Sequence, residues 1–173
     1  PKIDLHVKDA IGRRWQLSTI QVDFAQPDNF DLQFVDSNNK RVKPVMIHRA
    51  LLGSIERFTG ILIENYAGEF PGWLSPVQVK VLTIGDVSNY LNKITKSLKG
   101  FRYEVDDRNL RLGEKLHDAS KDKIPITLIV GEKDELSNTL AINIRSQDNQ
   151  QNVKYEDAIK QIKANLKTPI FKI

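Results

Sequence analysis

Residues 46–73 read MIHRALLGSIERFTGILIENYAGEFPGW. The stretch passes from an apolar extended segment through Gly53 into a long amphipathic helix. Ser54 is a good N-cap, because its hydroxyl can accept from an N–H of the first turn. Ile55, Phe58, Leu62 and Tyr66 recur at three- and four-residue spacing and so line one face. Gly68 can close the helix in the left-handed conformation. A core element of this kind needs only hydrophobes and caps. This one also holds His48 beside Arg49 and places Arg57 in the first turn. The helix dipole disfavours a cation there by about 0.3–1 kcal/mol. Two readings of Arg57 are open. It is a surface residue paired with an acid such as Glu56, or it converges with the open N–H groups on an anion such as phosphate. His48 reads either as a hydrogen-bonded strand histidine or as a ligand. His6 and His117 show no metal-ligand spacing with it.

Upstream, residues 15–24 (WQLSTIQVDF) and 30–35 (FDLQFV) read as strands, the cluster 36–39 (DSNN) as a turn, and 41–47 (RVKPVMI) as a further extended segment. Short turns between such strands favour antiparallel pairing. Downstream, Pro71, Gly72 and Pro76 mark a boundary, and the rhythm changes. Strands are predicted at 77–84, 101–105, 125–130 and 139–144. Helices are predicted from Asp86 to Gly100, over 109–121, and around Tyr155, Ala158, Ile159, Ile162 and Leu166. Residues 145–152 (RSQDNQQN) read as a polar loop. Alternating strands and helices predict an α/β layer with a parallel or mixed sheet. The expected domains are therefore 1–75, an antiparallel sheet with one buried helix, and 76–173, a compact α/β domain.

The 173 residues are 40% hydrophobic and 28% charged, as in ordinary globular chains. No apolar run reaches the roughly 20 residues that span a bilayer. The opening PKIDLHVKD is already charged and alternating, with no Met, which predicts a piece of a longer protein without a leader. With no cysteine, disulfides and thiolate metal sites within the chain are excluded, and a cytoplasmic setting is compatible. The net charge of +4 falls wholly in residues 76–173; residues 1–75 are neutral. A basic second half suits a polyanion partner, and equally a solvated lysine-rich surface. No Gly-rich phosphate loop is present to support a generic nucleotide-binding protein.

Three stretches together carry a family resemblance: WQLSTIQVDF, KPVMIHRALLGSIERF (residues 43–58) and FPGWLSPVQV (residues 70–79). They closely resemble the threonyl-tRNA synthetase family of class II aminoacyl-tRNA synthetases. GSIERF looks like the third signature motif of that class, a strand followed by a helix with an arginine. FPGWLSPVQV looks like the junction into the family's anticodon-binding domain. The resemblance implies that His48 is one of three protein ligands of an active-site Zn2+, the others lying upstream. It also implies that the metal selects threonine through its amino and hydroxyl groups. Rejection of valine then follows the rule that a site built for a polar group excludes its apolar analogue. Arg57 is expected to hold ATP, which enters with Mg2+, as a planar and permanently charged group suited to stacking and triphosphate binding. Gln16, Gln21 and Ser54 match substrate-pocket residues, with Gln21 and Arg57 taking the catalytic roles. His48, Gln21 and Arg57 are expected to face one cleft. Gln16 and Gln21 are five apart, so a regular strand would put them on opposite faces. A bulge, or roles on two sides, is required.

In the second half, DDRNLRLGEKL (residues 106–116) resembles the family's RNxxxGxK pattern, with Asn109, Gly113 and Lys115 matching. Asn109 can pair with a base edge, and Lys115 with phosphate. A capped polar helix is the bland alternative. Gly131-Glu132-Lys133 fits the family turn, and Asp134 stands where an acidic base contact is expected. Asn138 replaces a family glycine and Asn143 an arginine, for which Arg145, on the same strand, is the expected substitute. The implied function is part of a threonine–tRNA ligase: ATP-dependent activation of threonine and transfer to tRNA(Thr), by a homodimer, with no membrane association. The fragment alone is not expected to be active. The competing reading is a non-catalytic tRNA- or RNA-binding module derived from a synthetase.

Overall fold

The computed structural model of the chain describes residues 1–170. Two compact units are present, Pro1–Gly68 and Glu69–Ile173.

In the first unit, strand β1 (Lys2–Lys8) pairs antiparallel with β2 (Arg14–Asp23). A short helix α1 (Ala25–Asn29) and a two-residue ladder of β3 (Phe34–Val35) with β4 (Arg41–Val42) follow. Strand β5 (Met46–Ala50) then pairs antiparallel with the other edge of β2, and α2 spans Ile55–Tyr66. The β1–β2 turn is organised by Asp9, whose carboxylate accepts from the N–H groups of Ile11 and Arg13, the Arg13 guanidinium and the Trp15 indole. Burial pushes that carboxyl up. The Trp15 and Arg13 donors outweigh it and hold the group at about 2.

The strand expected over 30–35 shrinks to two residues. Asp23 Oδ1 accepts from the N–H groups of Ala25 and Gln26, turning the chain into α1, and Asp31 adopts a φ of 46°, which interrupts extension. Gly53 makes the turn into α2 at φ +66°, where a Cβ would lie 3.1 Å from the Leu17 carbonyl. Ser54 Oγ accepts from Arg57 N at 3.2 Å, the expected N-cap. The left-handed closure begins at Ala67 (φ 48°), with the Gly68 N–H on the Ile63 carbonyl. The helix expected to be buried is only half-covered: Ile55 is 75% exposed, and no residue of α2 is buried. Leu17 and Pro27 are the buried apolar residues of this unit.

The second unit contains the core. Strand β6 (Val79–Ile84) lies between two parallel neighbours, β7 (Tyr103–Asp106) and β8 (Ile126–Gly131). Strand β9 (Thr139–Ile144) runs antiparallel to β8, and β10 (Gln150–Lys154) antiparallel to β9, completing a mixed five-stranded sheet. Helices α3 (Ser88–Ser97) and α6 (Tyr155–Asn165) cover one face. There Tyr90, Ile94, Leu98, Ala158 and Ile162 pack on Val79, Val81, Leu128, Leu140 and Ile142. Helix α4 (Leu112–Lys121) lies on the other face, where Lys80 reaches Asp122 at 3.1 Å and Leu116 and Ala119 share a cavity with Thr127 and Asn143. Two elements are not visible in the sequence. One is α5 (Glu132–Ser137); the other is β10, which begins inside the expected loop.

Candidate functional site

In the first unit the question posed by Gln16 and Gln21 is resolved by register. Ser18 opposes Leu5 and Gln16 opposes His6, so Leu17 is an extra residue in β2. Such a bulge shifts the alternation by one and puts both amides on the same side. Gln21 stands opposite Lys2 on β1 and opposite His48 on β5. Asp4, Gln16, Thr19, Gln21, Asp23 and His48 therefore share one polar face. Asp4 Oδ1 accepts from Gln16 Nε2 at 2.7 Å and from Thr19 Oγ1 at 2.8 Å. The opposite face carries Ile3, Leu5, Val7, Ile20 and Ile47, all exposed.

His48 is not a core histidine: its side chain is 38% exposed, and its Nε2 lies 3.1 Å from Asp23 Oδ2. The Asp23 carboxyl is held low first by the Gln26 N–H, against burial, with help from Ala25 and His48. A ring that donates from Nε2 to this fixed carboxylate keeps the Nδ1 lone pair for another partner. Among the described residues, no group of three His, Cys, Asp or Glu side chains could hold a metal, so this chain offers at most part of a ligand set.

Arg57 is not on that polar face. Its guanidinium lies 5.7 Å from the centre of the Trp15 ring, with Arg13 at 5.6 Å from the same ring. Trp15 opposes Val7 and so belongs to the apolar side. Arg57, Arg13, Trp15, Gly60, Ile61 and Glu64 line a small cavity. The single cleft expected for Arg57, Gln21 and His48 is therefore divided. The structure brings Gln21 and His48 together and holds Arg57 apart, on an aromatic platform.

In the second unit a crevice of about 480 Å³ opens at the C-terminal ends of β6 and β7. Connections leave these adjacent parallel strands toward opposite faces of the sheet, which is where open α/β sheets place ligands. Gly85 forms its corner at φ +75°, where a Cβ would lie 2.8 Å from Glu132 Oε1. Ile84 projects into it, 46% exposed. Asp86 accepts from the N–H and hydroxyl of Ser88 at the start of α3. Asn109 lines it too. Helix α4 begins at Leu112, later than expected, so Asn109 sits on the loop before it, exposed and with no partner for its side-chain amide among the described residues. Sequence reasoning misses Ile84 because an apolar residue at a strand end reads as core.

Three residues expected at a loop-binding surface have other partners. Lys115 is 2% exposed, and its ammonium donates to the carbonyls of Thr83 at 2.8 Å and Asp106 at 3.1 Å, which does not fit a phosphate contact. Asp134 accepts from the Gly131 N–H at 2.9 Å, capping α5. Arg145 donates to the carbonyls of Lys123, Glu69 and Phe70, pinning the start of the unit, and lines a different cavity. Asn138 takes the left-handed C-cap of α5 at φ 54°. That explains why a glycine suits the position and why asparagine can replace it.

The chain belongs to the anticodon binding domain family, matched over residues 78–165. Residues 1–66 match the tRNA synthetase class II core domain (G, H, P, S and T). Its relatives are threonine–tRNA ligases. That of Clostridium tetani is 51% identical over 150 residues, which are 85% of this chain and 24% of the relative. That of Clostridium botulinum (strain Loch Maree) is 45% identical over 170 residues, 96% of this chain and 27% of the relative. Among solved structures, the RNA binding domain of threonyl-tRNA synthetase from Cryptosporidium parvum Iowa II superposes with a TM-score of 0.81 at 30% identity. It covers 95% of this chain and 43% of its own. The chain spans about a quarter of the length of the curated relatives it matches. No helix among the described residues is long and apolar enough to cross a membrane.

Proposed function

We propose that the chain is the part of a cytoplasmic, homodimeric threonine–tRNA ligase that joins the end of its catalytic domain (1–75) to its anticodon-binding domain (76–173). The whole enzyme activates threonine with ATP and Mg2+ and transfers it to tRNA(Thr). On the polar face of the first unit, Gln16 and Gln21 hydrogen-bond threonine and its adenylate. His48, oriented by Asp23, supplies one imidazole to a Zn2+ whose other ligands come from elsewhere in the protein. That metal would supply Lewis acidity toward the amino and hydroxyl groups of threonine. Arg57 binds ATP by turning its side chain from the Trp15 ring toward the polar face, and Ser54 keeps the helix start that carries it. The exposed apolar face of Ile3, Leu5 and Ile47 packs against the remainder of the catalytic domain. The polar face favours this reading over a purely RNA-binding module, which has no use for Gln16, Gln21 and His48 on one side of a sheet.

The observation that carries the second half is Asn109. It is an amide without a partner among the described residues, on a loop at the strand-end crevice, in a domain of the anticodon-binding family. A splayed base presents donors and acceptors that such an amide reads, while Ile84 offers an apolar contact to its face. Asn109→Ala in the full-length enzyme is expected to reduce discrimination between the cognate and an anticodon-swapped stem-loop by about tenfold, the cost of removing one good base-edge pairing. Titrations at two salt concentrations measure it. An unchanged preference overturns the assignment of Asn109.

A further inference from the structure

Lys115 is the largest fully buried side chain of the described chain, and it is a cation. An ammonium held away from water is costly unless its protons are taken. Here two carbonyls take two of its three protons, and their location gives the lysine its role. The parallel ladder between β6 and β7 ends at the pair Leu82–Asp106. Past that rung the strands part, and the crevice begins. Thr83 O on β6 and Asp106 O at the end of β7 stand on either side of the fork, and Lys115 Nζ bridges them at 2.8 and 3.1 Å.

A second grip comes from the same helix, one turn on. The Asp106 carboxylate, 4% exposed, accepts twice from the Arg108 guanidinium and once from the Arg108 N–H. Arg108 also reaches Asp118 on α4 at 2.7 Å. Arg108 holds the Asp106 carboxyl well below the usual range, at about 2, against burial. The segment that follows Asp106 is thus held by α4 at two points three residues apart: Lys115 through the Asp106 carbonyl and Asp118 through Arg108. Asn109 comes immediately after, with its own amide uncommitted.

We propose that Lys115 is a positioning residue for base recognition: by bridging the parted ends of β6 and β7 it fixes the crevice mouth and the Asn109 loop, without touching RNA phosphate. This rests on the reading of the crevice as the anticodon site. The two assignments for Lys115 differ in what salt does. If Lys115 neutralised a phosphate, its removal would lower the slope of log K against log[salt] by about one and weaken all sequences alike. If it bridges the strand ends, its removal leaves the slope unchanged and erodes sequence preference.

The test uses the full-length protein with Lys115→Met, which keeps length and removes the charge. Lys115→Gln is the second variant, since its amide still donates to one carbonyl. Stem-loops with cognate and swapped anticodons are titrated at two salt concentrations, and amide exchange is measured without RNA. Lys115→Met is expected to lower cognate preference by about tenfold at an unchanged salt slope. Exchange should speed up at residues 107–110 while β8 keeps its protection, and Lys115→Gln should fall between Met and wild type in both readouts. If Lys115→Met does not fold, Lys115→Gln alone carries them. A slope lower by about one with preference intact overturns the proposal. So does wild-type exchange at residues 107–110, or equal effects of Gln and Met. If the wild-type enzyme shows no anticodon preference, the crevice reading fails separately, and the exchange result alone decides whether Lys115 holds the loop.

Discussion

Arg57→Ala in the full-length enzyme is expected to slow threonine-dependent ATP–pyrophosphate exchange by about 10²–10³-fold, the usual cost of removing one transition-state phosphate contact. Stem-loop binding should stay within about twofold, because Arg57 and the crevice belong to different units. The residue's placement favours this outcome. Its N–H is taken by the Ser54 cap and its side chain is not, so the helix start survives truncation to alanine. The guanidinium rests over Trp15 and next to Arg13, which is itself committed to Glu64. No acid is paired with Arg57 among the described residues, contrary to the surface-pair reading. With no hydrogen bond or ion pair to break among the described residues, the guanidinium can turn from the Trp15 ring to a nucleotide. Exchange at the wild-type rate would refute the role.

His48→Ala should remove zinc and threonine activation together. Deleting a direct ligand costs more than the 10–100-fold that follows removal of an outer-shell partner, so metal affinity should fall by more than about 100-fold. Elemental analysis of the purified enzyme reads the metal, and pyrophosphate exchange reads the activation. The expectation rests on the His48–Asp23 pair. The carboxylate is anchored by the first N–H groups of α1 and holds the ring at the edge of the face that also presents Gln21. Unchanged zinc content in His48→Ala would count decisively against the assignment.

Much of this architecture is legible in the sequence because the relevant signals are local. The Ser54 cap, the β-branched run of β6 and the 3.6-residue periodicity of α3 and α6 each follow from short-range chemistry, and each element forms where expected. The mixed sheet of the second unit follows from the alternation of these elements. What escapes a sequence reading depends on groups far apart in the chain. The bulge at Leu17 is written in the pairing of β2 with β1 rather than in β2 itself, yet it decides that Gln16 and Gln21 share a face. Strand β10 is all polar but for Val153, so neither alternation nor hydrophobicity marks it. Asn109 is recognisable by type, but the sequence pattern puts it on a helix. The Asp106–Arg108 clamp, two residues apart and supported by Asp118, keeps it on a loop instead.

Lys115, Asp134 and Arg145 show the limit of residue type as a guide. Each is charged and lies in or beside a motif, and each spends its hydrogen bonds within the unit, Lys115 and Arg145 on backbone carbonyls and Asp134 on the Gly131 N–H and the Thr139 hydroxyl. A cation in a family motif near a nucleic-acid site reads as a phosphate contact. Only burial separates that role from the bridging of two carbonyls.

The most direct test of the account is a footprint: backbone amide shifts of the protein, recorded with and without a tRNA(Thr) anticodon stem-loop. The expected result is a set of perturbations concentrated at residues 83–88 and 107–110, on the two sides of the crevice, which weaken when the anticodon is swapped. Perturbations that leave both segments untouched, or that are the same for any loop, would contradict it.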